Sequence, residues 1–166
     1  MKNETTAINF DQEADMLYPT LNEVEELLKD YQMVPVFYEV LADYMTPIRM
    51  FQALRKQGTP CFMLESVENK DQWGRYSFIG INPRSEIKIS GKELEVNGVK
   101  QKEEFQMRYL SDLIEKYKSP VMEDYPKLTG GLIGYFGYDM IRQVEKKLTN
   151  VPEDDLKMPE CHLCMY

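Results

Sequence analysis

The sequence predicts an α+β fold, antiparallel sheets with helices packed on them. Three observations predict it. Short β-branched and aromatic runs alternate polar and apolar residues through the middle of the chain. Turn dipeptides, Gly91-Lys92 and Asn97-Gly98, separate those runs. Three stretches of helical spacing fall between the strand runs, without the strict strand–helix alternation of a parallel sheet.

Residues 1–16 lack periodicity and read as a flexible acidic leader, so the ordered domain is expected over 17–166. Thr20, three before Glu23, is a capping-box signal. Leu21, Val24, Leu27 and Leu28 then make an apolar stripe that Lys29 closes with the sign the helix dipole favours. Val34 to Leu41 reads as a strand. Thr46 caps a second helix and Pro47 takes its first position, where a missing N–H costs nothing. Ile48, Phe51 and Leu54 follow, and Gly58 stands where a left-handed end residue is wanted.

Cys61 to Ser66 and Arg75 to Gly80 read as strands, followed by the meander Glu86–Ser90 and Glu93–Val96. Leu110, Leu113, Ile114 and Tyr117 stripe a third helix. Gly131, Gly134 and Gly137 recur every third residue among Leu132, Ile133, Tyr135, Phe136 and Tyr138. This spacing fits neither the dinucleotide fingerprint nor a phosphate loop. It predicts a central strand that another backbone approaches closely, turning helical near Tyr138 with Ile141 and Val144 inward. Cys161 to Tyr166 reads as a further strand.

The chain has 166 residues, of which 43% are hydrophobic and 29% charged, so it can build one ordinary core. The net charge is −8, which argues against nucleic acid as a partner. Residues 1–30 hold two basic and eight acidic side chains, so most of the excess lies there. Three Cys make no disulfide framework. No signal peptide and no apolar run of about 20 residues is seen, so a cytoplasmic, non-membrane protein is expected.

Candidate chemistry is sparse. The single His, His162, would have to serve any Ser-His or Cys-His catalysis, and a structural role is the expectation. Cys161 and Cys164 form Cys-x-x-Cys, but a structural zinc needs four ligands, and only Cys61 and His162 remain. No catalytic residue and no metal ligand is therefore assigned. Strand alternation puts Phe62, Leu64 and Ser66 on one face, a hydroxyl ending an apolar row. Its partner could be backbone, or a polar group of a ligand in an apolar pocket.

At this stretch the sequence resembles a known family. Leu64-Glu65-Ser66-Val67-Glu68, followed by Trp73-Gly74-Arg75-Tyr76-Ser77-Phe78-Ile79-Gly80, is similar to the signature of the N-terminal domain of anthranilate synthase component I. Tyr18-Pro19-Thr20-Leu21, Leu41-Ala42-Asp43-Tyr44-Met45-Thr46-Pro47 and Gly130 to Asp139 resemble the same family in the same order.

The resemblance implies that the domain is the N-terminal part of a layered sandwich. It implies that full-length members convert chorismate and ammonia to anthranilate and pyruvate, for tryptophan synthesis. The ammonia comes from a glutamine amidotransferase subunit, component II, and chorismate and Mg²⁺ bind a C-terminal domain. Feedback inhibition by L-tryptophan is carried by the Leu-Glu-Ser motif, here Leu64, Glu65 and Ser66, with Arg75 as the basic residue downstream.

No chorismate or Mg²⁺ residue of the family falls in this stretch. The chain is thus expected to be truncated before the catalytic domain, inactive alone and without its own cofactor. The apolar face of the Cys161–Tyr166 strand is expected to be exposed and to drive self-association. Component I of aminodeoxychorismate synthase, from folate synthesis, shares the same motif, and a non-enzymatic tryptophan-binding module is the third reading.

Overall fold

The structure, a computed structural model, describes residues 17–65, 76–123, 125–145, 147–148 and 156–166. The expected leader 1–16 lies outside them. The chain divides into two compact units, 1–43 with 113–129, and 44–112 with 130–166.

In the first unit, β1 (Leu17–Tyr18) pairs antiparallel with β2 (Phe37–Tyr38). The strand expected over 34–41 is this short because its partner is. Pro19 has no N–H to extend the ladder. Helix α1 (Leu21–Leu27) starts at the expected capping box, the Thr20 amide and hydroxyl both donating to Glu23 Oε2 at 2.8 Å. That bonding holds the Glu23 carboxyl below its ordinary range. The α1 stripe is not a core stripe: Leu21 is 74% exposed. The apolar contact here is instead an aromatic stack, Tyr125 lying 3.8 Å from Phe37 and 5.1 Å from Tyr18 between ring centroids.

The second unit is built on a five-stranded antiparallel sheet. Its strands are β5 (Ser85–Ser90), β6 (Glu93–Val96), β7 (Val99–Lys100), β8 (Leu132–Phe136) and β9 (Cys161–Met165). The order is β7-β6-β5-β9-β8. Asn97 and Gly98 both have positive φ, 52° and 77°, as the expected two-residue hairpin turn requires.

Directly paired residues share a face. One face therefore carries Ile87 and Ile89, opposite Leu163 and Cys161 on β9 and Val96 and Leu94 on β6. Ile87, Ile89 and Cys161 are fully buried and form the centre of the core, with Leu94, Phe105, Leu110, Met140 and Met165 also buried. Burying one such aliphatic side chain stabilises by about 1.5–3 kcal/mol.

Helix α2 (Pro47–Leu54) has its Thr46 cap accepting from the Arg49 amide at 3.3 Å, and it packs on strand β4 (Ser77–Gly80). It ends at Arg55 in extended conformation, so Gly58, at φ 79°, serves a separate turn. Helix α3 (Arg108–Lys116) turns Leu110 inward.

Three expectations are corrected in this unit. The Gly-rich strand β8 is an edge strand, not a central one, because β9 takes the place between it and β5. Strand β9 lies between β5 and β8, and Cys161, Leu163, Cys164 and Met165 are all buried rather than exposed. Residues Tyr138–Gln143 form a 3₁₀ helix, whose three-residue period brings Met140 and Gln143 to one side. Met140 is buried and Gln143 Nε2 donates to the Gly91 carbonyl at 2.7 Å, while Ile141 and Val144 face out.

Close backbone approach at the glycines holds, at shifted positions. A Cβ on Gly134 would sit 2.0 Å from the His162 carbonyl oxygen, and one on Gly130 2.6 Å from that of Tyr166. A Cβ on Gly137 would meet the Glu160 oxygen at 2.9 Å. Gly131 instead needs its φ of 137° to pair with Tyr166.

Candidate functional site

The expected site falls on the two-stranded sheet of β3 (Phe62–Glu65) and β4. Phe62 pairs with Gly80, Met63 with Ile79, Leu64 with Phe78 and Glu65 with Ser77. Phe62, Leu64, Phe78 and Gly80 thus share one face, and Tyr76 precedes Phe78 on it by the same alternation. Met63, Glu65, Ser77 and Ile79 share the other.

The first face is a row of rings. Gly80 makes room for Phe62, whose ring occupies the space a Cβ would need, 2.0 Å from Cε1. The Phe62 ring meets Tyr166 edge-on at 4.8 Å, and Tyr76 lies 5.9 Å from Phe78. Leu64 is 45% exposed and Tyr76 39%, so the end of the row towards residues 66–75 is open to solvent. Phe62 itself is half-buried. Leu64 and Glu65 are brought together in sequence but leave from opposite faces. Ser66 and Arg75 lie outside the described residues.

Tyr166 anchors this row to the large sheet, and burial together with the nearby Cys164 and Cys61 thiols pushes its hydroxyl up to about 12. Burial pushes Cys161 up to about 11 and raises Cys164 as well, so both remain neutral thiols at pH 7. Cys161 and Cys164, three apart on a strand, point to opposite faces, which separates the Cys-x-x-Cys pair. Among the described residues, no group of three His, Cys, Asp or Glu could hold a metal ion.

The second face of the large sheet carries a polar network that the sequence did not reveal. His162 Nε2 lies 2.7 Å from Glu86 Oε1, and Lys88 Nζ lies 3.0 Å from the same oxygen. Lys88 Nζ is also 3.9 Å from Glu95, and the Tyr135 ring meets His162 edge-on at 6.1 Å. The Lys88 ammonium holds the Glu86 carboxyl below its ordinary range, and Glu86 raises Lys88 in turn. Period-two alternation did place Glu86 and Lys88 together. His162 is 76 residues away from Glu86, and only the β5–β9 register joins them.

No protein-family model matches the chain. It is 43% identical over 151 residues to anthranilate synthase component 1 of Acetivibrio thermocellus, covering 89% of this chain and 30% of that protein. It is 35% identical over 145 residues to anthranilate synthase component 1 of Acinetobacter calcoaceticus, covering 82% of this chain and 29% of that one. The crystal structure of anthranilate synthase component I from Streptococcus pneumoniae aligns with a TM-score of 0.47 at 29% identity. That alignment covers 78% of this chain and 28% of that one. The chain therefore spans about 30% of the length of the curated relatives it matches.

Proposed function

We propose, taking as premise that this chain is related over most of its length to anthranilate synthase component I, that it is the N-terminal regulatory and structural domain of such an enzyme. The observation that carries this is the 43% identity over 151 residues, nearly the whole chain. The enzyme would convert chorismate and ammonia to anthranilate and pyruvate, with component II supplying ammonia from glutamine. Chorismate and Mg²⁺ belong, in this reading, to the part of the relatives that this chain does not span.

The β3–β4 sheet is the proposed docking wall for L-tryptophan, the feedback inhibitor. Its open row of Phe62, Leu64, Tyr76 and Phe78 matches an indole in kind, since ring faces and edges pack favourably on one another. Leu64 contributes side-chain surface. Ser66 would meet the ligand's polar end, and the motif adds Glu65, which leaves β3 from the face opposite the row, and Arg75 as the basic residue of the set. The support is the sequence motif together with the exposure of Leu64 and Tyr76 at that end of the row.

Tryptophan inhibition should be compared in the long enzyme and its Ser66→Ala and Leu64→Ala variants. Losing one hydrogen bond or one apolar wall residue should raise the inhibitory concentration about tenfold, with turnover unchanged. Inhibition unaltered in both variants would overturn the assignment of the site.

A further inference from the structure

Asn97 and Gly98 form the tip of the β6–β7 hairpin, and both are at least partly open to water. An Asn followed by Gly is chemically vulnerable. The Gly nitrogen can attack the Asn side-chain carbonyl because no side chain on Gly hinders its approach. In this fold, however, the Asn97 side chain is not free to turn. Its Oδ1 accepts from the Glu86 amide at 2.8 Å, and the Asn97 amide donates to the Glu86 carbonyl at 2.8 Å. Asn97 thereby extends the β5–β6 ladder by one step and closes both backbone groups of Glu86.

We propose that Asn97 is a deamidation site gated by opening of this hairpin tip. In the closed state Oδ1 is held by the Glu86 amide, which restrains the side-chain rotation that attack by the Gly98 nitrogen requires. When the tip opens, the Gly98 nitrogen loses its proton and forms a bond to Asn97 Cγ, and ammonia leaves, giving a succinimide. Water then opens that ring at either carbonyl, leaving an aspartate or an isoaspartate at this position. Isoaspartate lengthens the main chain by one carbon and cannot keep both bonds to Glu86. The modification would therefore loosen the residue that holds Lys88 and His162.

The test is to incubate the 166-residue chain at neutral pH and body temperature, folded and in concentrated guanidinium chloride. The Asn97-containing peptide is followed by mass spectrometry with isoaspartate detection. A Gly98→Ala variant identifies the nucleophile. Folded protein should deamidate at Asn97 about five- to tenfold more slowly than the unfolded chain, the ratio that one or two hydrogen bonds supply. The Gly98→Ala substitution should slow the unfolded chain strongly. Equal rates folded and unfolded, or an unfolded rate that Gly98→Ala leaves unchanged, would overturn the proposal.

Discussion

Replacing Gly134 by Ala tests how β8 is held on β9. A Cβ there would sit 2.0 Å from the His162 carbonyl oxygen, 2.9 Å from its carbon and 2.9 Å from Leu163 Cα. All three are backbone atoms, so no flexible side chain can yield. Either β8 moves off β9 or the ladder around Gly134–Leu163 distorts. Overpacking of this kind costs about 1–3 kcal/mol. For a chain of this size each kcal/mol lowers Tm by about 2–4 °C, so a drop of about 4–8 °C is expected for a mid-range cost. The assay is thermal unfolding by circular dichroism, with Gly98→Ala alongside. Gly98 has nothing within 4 Å and a φ of 77°, so its variant reports backbone strain alone, about 1–2 kcal/mol. A Gly134→Ala protein that melts within a degree of wild type would refute the close approach of β8 to β9.

Other outcomes follow from the same structure. Ile87→Ala should cost about 2–5 kcal/mol by denaturant unfolding, since Ile87 is fully buried and its site is bounded by strand backbone. Glu86 has a depressed folded-state pKa, so its contribution is present above the ordinary carboxylate range and is lost as pH falls through the folded value. Stability measured across the acid limb should accordingly be flatter in Glu86→Gln than in wild type. Cys161 runs the other way. Its raised pKa of about 11 favours the folded state below the ordinary thiol value of 9.0, and that contribution is lost as pH rises towards 11. Alkylation of the folded chain should reach Cys61, which is partly exposed, before the buried Cys161 and Cys164, as peptide mapping by mass spectrometry can establish.

Much of the sheet is legible in the sequence because its signals are local. Alternation from Glu86 to Ser90 fixes the buried face of β5, and Asn97-Gly98 fixes a turn that only residues tolerating positive φ can make. The place of β9 is not legible. It pairs with Ser85–Ile89, more than 70 residues earlier, and no period in either strand encodes that register. The misplacement of β8 follows from this, because its glycines announce close approach without saying whether one side or both is covered. Met140 in place of Ile141 is a failure of period: 3.6 residues per turn would bury Ile141, and the chain winds at three. Of the candidate site, the shared face of Phe62 and Leu64 is legible from strand alternation. The ring row completed by Tyr76 and Phe78, and the edge contact of Phe62 with Tyr166, need the pairing of distant strands.

Membership of an enzyme that makes anthranilate under tryptophan control is tested most directly by anthranilate fluorescence. The reaction contains chorismate, ammonium and a protein of the relatives' length that includes this chain. Anthranilate should form, tryptophan should suppress it, and the 166-residue chain by itself should yield none. Turnover by that chain alone, or release of aminodeoxychorismate in place of anthranilate by the longer protein, would contradict this assignment.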